Sequence, residues 1–270
     1  MIRLYNQNIW GGMPKTDEIA NRNQLVRSLT QDYQPDICTF QECSPNSTRK
    51  VEDALPLILS DIYAEACAQE AERNYNAIFY KKDKYLEIDS GYHAYAGCEE
   101  LPGGKSKAVT WAVLERIADG KRFGIMSTHF WFKHLSEEDV ILRLQNAEEL
   151  EQVCKWMVEK YDVPVIVAGD FNNGKQSIQG DGPYQAMIQK GFEDVRYSAA
   201  QTTDCFTVHH YPTRNEKGEY AYGDMPHGTI DYIFMYGEKG LTAQKFQVDT
   251  SAKALSSSDH CPMIAEFILD

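Results

Sequence analysis

Hydrophobic and polar positions divide the chain into short apolar runs and longer amphipathic segments. Runs rich in β-branched and aromatic residues, such as 163–168, predict strands that are buried on both faces. On this basis strands are predicted over 2–10, 35–42, 77–82, 86–95, 107–117, 123–130, 163–168, 229–236 and 262–269. The pair Asp119-Gly120 predicts a tight hairpin turn into the 123–130 strand.

Segments with apolar residues three or four positions apart predict helices between these strands. They are expected over 16–33 with Thr16 as N-cap, over 136–161, and over 184–191, where Gly191 ends the helix. Ser136-x-x-Asp139 has the form of a capping box. The predicted inner face of the long helix consists of Val140, Leu144, Ala147, Leu150, Val153 and Met157. Residues 196–228 lose any regular pattern and predict one long polar and aromatic loop.

The order of these elements favours one α+β domain over residues 1–270. Strands and helices mix without strict alternation, which predicts two sheets with helices outside them rather than a doubly wound parallel sheet. A chain of 270 residues is long enough for a sizeable single core, and no linker or repeat divides it.

The formal net charge of −13 limits the partners that the surface can attract. It argues against tight nonspecific nucleic-acid binding, because an acidic surface repels polyanions, but it leaves room for a small or medium anionic substrate held by a metal. No apolar run has the length of a membrane span, and the N-terminus lacks an apolar signal segment. Scattered cysteines favour reduced thiols, so we expect a cytoplasmic monomer, although a chain trimmed of its signal would look the same.

Polar side chains recur in or beside the predicted strands, many at the point where a strand ends. They are Asn8, Glu42, His129, Asp170, Asn172, Asp231, Asp259 and His260. Carboxylate and amide oxygens are the ligands that Mg²⁺ prefers, and a carboxylate can orient or deprotonate water. A histidine can stabilise charge on a phosphoryl oxygen, and an aspartate beside it favours its cationic form. Together these groups suit hydrolysis of a phosphoester.

The motifs that carry these residues occur in the order N-I, Q-E, T-H, G-D-F-N, I-D-Y-I and S-D-H over nearly the whole chain. In this order they resemble the endonuclease/exonuclease/phosphatase superfamily, which includes pancreatic deoxyribonuclease and the abasic-site endonucleases. The resemblance implies a four-layer αββα sandwich, with two mixed sheets packed face to face and helices outside. It also implies a hydrolase that uses Mg²⁺, with Mn²⁺ as a substitute, and in-line attack of an activated water.

The same resemblance assigns the residues of the metal site. Glu42 would be the main ligand of Mg²⁺. Asn8 and Asp259 would lie close to the same ion, directly or through water.

It also assigns the residues that act on the substrate. Asp170 would position or deprotonate the attacking water, and Asn172 would help to hold that water and the phosphate. His260 would contact the scissile phosphate, with Asp231 orienting its ring. His129 would contact the phosphate from another side.

One position departs from the family pattern. Many relatives carry a glutamate where this chain has Asn74, and an amide can bind substrate but cannot act as a base. His209, in the 196–228 loop, is a second candidate for substrate binding.

Simpler interpretations stand beside these assignments. Residues 170–173 could be an ordinary turn, and His129, among aromatic residues, could be a core histidine. A non-catalytic binding protein on the same fold is the alternative function.

Overall fold

The computed structural model describes residues 1–11, 17–43, 50–68, 75–133, 136–172, 182–209, 213–214, 220–221, 228–237 and 240–270. The strands are β1 (Ile2–Asn8), β2 (Ile37–Gln41), β3 (Tyr63–Glu65), β4 (Ile78–Lys81), β5 (Tyr85–Ala94), β6 (Ala108–Arg116), β7 (Arg122–His129), β8 (Val165–Asp170), β9 (Glu193–Asp194), β10 (Gln201–Thr203), β11 (Thr213–Arg214), β12 (Tyr220–Ala221), β13 (Asp231–Tyr236), β14 (Leu241–Val248) and β15 (Met263–Leu269). The α-helices are α1 (Asp17–Tyr33), α2 (Leu55–Leu59), α3 (Glu137–Tyr161), α4 (Gly182–Gln189), α5 (Val195–Ser198) and α6 (Ala252–Leu255).

Thirteen of these strands form two mixed sheets, and β11 and β12 pair antiparallel with each other. The seven-stranded sheet has the order β10-β14-β15-β1-β2-β4-β3, and the six-stranded sheet has the order β5-β6-β7-β8-β13-β9. In the first sheet β1 and β2 are parallel, whereas β1 and β15 are antiparallel. In the second sheet β7 and β8 are parallel, and β8 pairs antiparallel with β13.

Three apolar clusters fix the layers. The central cluster joins the two sheets face to face, with Leu4 and Ile37 of the first sheet and Ile125 and Ile166 of the second among its fully buried members. A second cluster packs α3 and α4 on the outer face of the six-stranded sheet, and a third packs α1, α2 and α6 on the outer face of the seven-stranded sheet. The predicted sandwich of two mixed sheets with helices outside is therefore confirmed.

The long helix begins as predicted, and Ala147, Leu150 and Met157 of its predicted inner face are buried. The capping box is present, since the Ser136 hydroxyl accepts from the backbone N–H of Asp139 and the Asp139 carboxylate accepts from that of Ser136. Its buried face consists of Asp139, Arg143, Asn146, Ala147, Leu150, Glu151, Cys154 and Met157. Leu144, predicted to face inward, is 38% exposed. The prediction fails here because polar residues share the buried face, where Asn146 and Asp139 accept from the backbone and indole N–H groups of Trp131.

The prediction of a single loop over 196–228 is wrong in its first part. Residues 195–198 form α5, and 201–203 form β10 at the edge of the seven-stranded sheet. The short helix is capped by Asp194, whose carboxylate accepts from the backbone N–H of Arg196. Strands β3 and β14 and helix α2 are also absent from the predicted elements. Thr16, the predicted cap of α1, lies outside the described residues.

In the described part of the chain, no helix combines the length and the apolar character needed to cross a membrane.

Candidate active site

Strand registers bring the predicted polar residues to one edge of the sandwich. Asn8 pairs with Gln41 at the ends of the parallel strands β1 and β2, and Glu42 follows directly. In the other sheet Asp170 at the end of β8 is the register partner of both His129 and Asp231. Because the two sheets pack face to face, these strand ends line one cleft between the layers.

Asp170 lies at the centre of this cleft. Its Oδ2 atom accepts a hydrogen bond from the Asn8 amide at 3.0 Å and lies 3.3 Å from His129 Nε2 and 3.8 Å from His260 Nε2. Its Oδ1 atom accepts from the backbone N–H of Asn172 at 2.9 Å. Burial, together with the neighbouring Asp231 carboxylate, raises the pKa of Asp170 to about 6. A carboxylate with a pKa near neutrality is suited to accept a proton from water.

His260 and Asp231 form a buried pair beside Asp170. Nδ1 of His260 lies 2.9 and 3.0 Å from the two carboxylate oxygens of Asp231. Burial by itself would lower the pKa of His260, but the carboxylates of Asp231, Asp259 and Asp170 outweigh it and raise that pKa well above its ordinary value. The pair therefore presents a cationic imidazole whose Nε2 atom is directed to the Asp170 side of the cleft.

His129 has the opposite protonation state. Burial, the positive charge of Lys107 and that of His260 hold the pKa of His129 well below its ordinary value. Lys107 Nζ lies 2.6 Å from His129 Nε2. A neutral His129 accepts this hydrogen bond at Nε2 and carries its own proton on Nδ1. The structure thus places His129 in the cleft, as predicted, but as a neutral ring beside a lysine.

Glu42, Asn8 and Asp259 lie along the edge of the seven-stranded sheet. The Asn8 amide group donates to Glu42 Oε1 at 3.3 Å, and its Oδ1 atom accepts from the backbone N–H of Trp10. The Ser258 hydroxyl donates to the backbone carbonyl of Asn8 and lies 3.2 Å from Asp259 Oδ1. The Asn8 amide thus joins the carboxylates of Glu42 and Asp170, and its predicted place beside the metal stays a prediction.

Three of the six non-glycine residues with positive φ angles in the described part of the chain lie at the cleft. Trp10, Glu42 and Asn172 all have positive φ angles, of 52°, 56° and 49°, although none is glycine. Such conformations persist only where the surroundings impose them, and they are frequent at functional sites. At Glu42 the constraint includes Gly11, where an added Cβ would lie 1.9 Å from the Glu42 carbonyl oxygen. Only glycine permits this close approach.

Several residues that support the site carry no sign of this role in the sequence. The Thr207 hydroxyl accepts from the backbone N–H groups of Ile230 and Asp231, and so fixes the start of β13. The Gln7 amide donates to the backbone carbonyl of His260. Lys107 is the most notable of these residues, because it reaches His129 in the cleft although it stands at the start of a predicted strand rather than at its end.

The two predicted substrate-binding residues have different outcomes. His209 is buried, and its backbone N–H donates to the carbonyl of Asp259 at 3.0 Å, so it lies next to the cleft. Asn74 lies outside the described residues, and its predicted role stays a prediction.

The donor set of the cleft fits a hard divalent cation. Glu42 and Asp259 bring carboxylate oxygens to one edge, the type of ligand that Mg²⁺ takes. A second group, formed by Asp170, Asp231 and His260, also has ligating atoms within 4.8 Å of one another. A metal bound there would need a neutral His260 ring, whereas its carboxylate neighbours favour the cationic form. The role of the Glu42 edge in metal binding stays a prediction.

The chain belongs to the Endonuclease/Exonuclease/phosphatase family, whose family model matches residues 6–260. This confirms the resemblance drawn from the motifs, and it places the chain among the phosphoester hydrolases. A search of curated protein sequences gives no match.

Solved structures with this fold cover nearly the whole chain. An endonuclease/exonuclease/phosphatase from Bacteroides vulgatus is 23% identical, with a TM-score of 0.73 and coverage of 100% of this chain and 99% of that one. The mannosyl-6-phosphatase of Bacteroides thetaiotaomicron is 18% identical, with a TM-score of 0.72 and full coverage of both chains. The catalytic domain of human Nocturnin, solved with a bound sulfate anion, is 18% identical, with a TM-score of 0.69 and coverage of 100% and 94%. At these identities the likeness establishes the fold alone.

Proposed function

We propose that the protein is a Mg²⁺-dependent hydrolase of phosphoester bonds that acts through in-line attack of water. The observation that carries the proposal is the position of Asp170, a carboxylate with a near-neutral pKa between a cationic and a neutral histidine. A named relative with this fold is a phosphatase, which agrees with the proposal.

Asp170 is the proposed general base. Its two oxygens are held by Asn8 and by the backbone of Asn172, so the carboxylate has a fixed orientation. It takes a proton from water while the water oxygen bonds to phosphorus. The bond from phosphorus to the ester oxygen breaks, and that oxygen leaves with the electron pair and takes up a proton from solvent as the alcohol. Asp170 then releases its proton to solvent.

His260 is the proposed electrostatic partner of the phosphate. Its Nδ1–H group is engaged by Asp231, which leaves Nε2–H to donate to a non-bridging oxygen. Because the ring is cationic before substrate arrives, it stabilises the charge that develops in the transition state without reorganisation.

Glu42 and Asp259 are the proposed ligands of Mg²⁺, with Asn8 holding Glu42 in place. When bound, the ion would polarise a phosphoryl oxygen and neutralise negative charge on the phosphate.

The test is a substrate panel of nucleotides, sugar phosphates, inositol phosphates, phospholipid head groups and short DNA, assayed with Mg²⁺, with Mn²⁺ and with EDTA. We expect metal-dependent release of phosphate or of an alcohol from at least one class, and loss of that release in Asp170→Asn. Binding of a panel member with no turnover under any metal would instead support the non-catalytic alternative.

A further inference from the structure

Lys107 is a buried cation that has no role in the chemistry proposed above. Its side chain is 3% exposed and precedes β6, whose first residue Ala108 pairs with His129. Burial lowers the pKa of Lys107 to about 8, while the negative charges of Glu42 and Asp170 oppose the shift. The amine is therefore mostly protonated at pH 7.

The backbone around Lys107 is held rigidly. Its N–H donates to the carbonyl of Gly104 at 2.9 Å, and its carbonyl accepts from Tyr95 at 3.0 Å. The Asn76 amide donates to the carbonyls on both sides of Lys107, those of Ser106 and Ala108, at 3.0 Å each. Such support fixes a side chain in place for binding.

The ammonium group of Lys107 has more N–H donors than there are acceptors around it in the described residues. An ammonium carries three N–H bonds, and within the described part of the chain His129 Nε2 is the one hydrogen-bond acceptor that Lys107 reaches. The Lys107 ammonium also lies over the ring of Phe132, whose centre is 5.1 Å from Nζ. Buried donors of this kind are normally satisfied, so the remaining N–H bonds call for an anionic acceptor in the cleft.

Lys107 brings a buried ammonium group with unused N–H bonds into the cleft. A phosphomonoester near neutral pH carries close to two negative charges on three terminal oxygens. A diester carries one charge on two such oxygens. The monoester therefore offers the Lys107 ammonium group one more terminal oxygen, and more negative charge, than the diester does.

We infer that Lys107 binds a terminal oxygen of the substrate phosphate and makes the enzyme selective for phosphomonoesters over phosphodiesters. This inference rests on the proposed hydrolase function.

The experiment compares p-nitrophenyl phosphate with bis(p-nitrophenyl) phosphate, which share a leaving group, in the presence of Mg²⁺. Lys107→Met should lower kcat/KM for the monoester about 10²–10³-fold, the range for one oxyanion-binding group. The diester should lose less than about tenfold, because it lacks the third oxygen. Lys107→Arg should recover part of the monoesterase activity. Lys105→Met is the matched control, since Lys105 is exposed in the same loop, and it should leave both rates unchanged.

A binding measurement separates this inference from the proposed function. Calorimetric titration with inorganic phosphate in the presence of Mg²⁺ should show binding to the wild type and to Lys105→Met, and weak or no binding to Lys107→Met. Affinity for Mg²⁺ alone and the melting temperature should be retained in all three. Hydrolysis of neither ester by the wild type would count against the hydrolase, yet loss of phosphate binding in Lys107→Met would still support the role of Lys107. Equal losses on both esters, or unchanged phosphate binding in Lys107→Met, would overturn it.

Discussion

The pairing of Asp231 with His260 can be tested by Asp231→Asn, which removes one negative charge with little change in shape. In the wild type one ring nitrogen of His260 faces both carboxylate oxygens, at 2.9 and 3.0 Å. That nitrogen carries a single hydrogen, so the two distances describe one shared hydrogen bond rather than two. Asparagine can still accept it, but as a neutral partner.

The expected size of the effect follows from the burial of the pair. Asp231 is 1% exposed and His260 is 6% exposed, so solvent screens their interaction weakly. A hydrogen bond to a charged group contributes about 1.5–3 kcal/mol. At about 1.4 kcal/mol per pKa unit, replacing this charged partner by a neutral one should lower the pKa of His260 by about one to two units. Asp170 and Asp259, with oxygens 3.8 and 4.0 Å from Nε2, would retain part of the upward shift.

The assay is the pH dependence of kcat/KM with the best substrate of the panel. If cationic His260 is required, activity falls as the pH rises through its pKa, and Asp231→Asn should move this alkaline limb down by about one to two pH units. Asp194→Asn serves as a control, because Asp194 is also buried but caps α5 away from the cleft. The alkaline limb of the pH profile should not move in this variant.

A double-mutant cycle completes the test. His260→Ala should lower the rate about 10²–10⁴-fold, and adding Asp231→Asn should cost little more, because groups that act as a unit are not additive. Losses that multiply, or an alkaline limb that stays in place, would refute the pairing.

The same pair predicts a pH dependence of stability. The folded-state pKa of His260 lies above its unfolded value of about 6.5. The stabilisation is therefore present in full below that pH and is lost as the pH rises through the folded-state pKa. Chemical denaturation should show the stability gap between wild type and Asp231→Asn narrowing at alkaline pH, and a gap that widens there would contradict the assignment.

Three further predictions concern the metal edge and the surface. Glu42→Gln should greatly weaken Mg²⁺ binding in calorimetric titration, because few carboxylates hold the ion, and unchanged affinity would remove Glu42 from that role. Gly11→Ala should also weaken Mg²⁺ binding, since its Cβ would lie 1.9 Å from the Glu42 carbonyl oxygen. Gly182→Ala, where the nearest atom is 3.8 Å away, should not. Gel-shift assays across a salt series should show no tight binding of duplex DNA at physiological salt, given the net charge of −13, and a stable complex there would refute this.

The strand ends explain why so much of the candidate site could be predicted. A polar residue at the end of an apolar strand, such as Asp170 after Val165–Gly169, is visible as a break in a local pattern. The family motifs then supply roles that the pattern alone leaves open. Lys107 is not identified in this way, because it stands at the start of a predicted strand, where a lysine is an ordinary solvent-exposed residue.

Long-range packing explains what could not be predicted. The inward face of α3 includes Asn146, and burial of such a residue depends on partners such as Cys98, which lies 48 residues away along the chain. Strand β10 pairs with β14, more than thirty residues later, so its short polar sequence carries no local sign of the sheet.

By itself the sequence determined the strand-forming runs, the amphipathic helices and the kinds of chemical group at the strand ends, because these depend on the periodicity and composition of neighbouring residues. Only the tertiary structure decided which of those groups are charged and which are neutral. His129 and His260 are the same residue type at the edge of the same cleft, yet one has its pKa lowered and the other raised. Burial lowers the pKa of both rings, but folding adds a lysine beside the first and carboxylates around the second. Electrostatic interactions depend on distance in space rather than on separation along the chain.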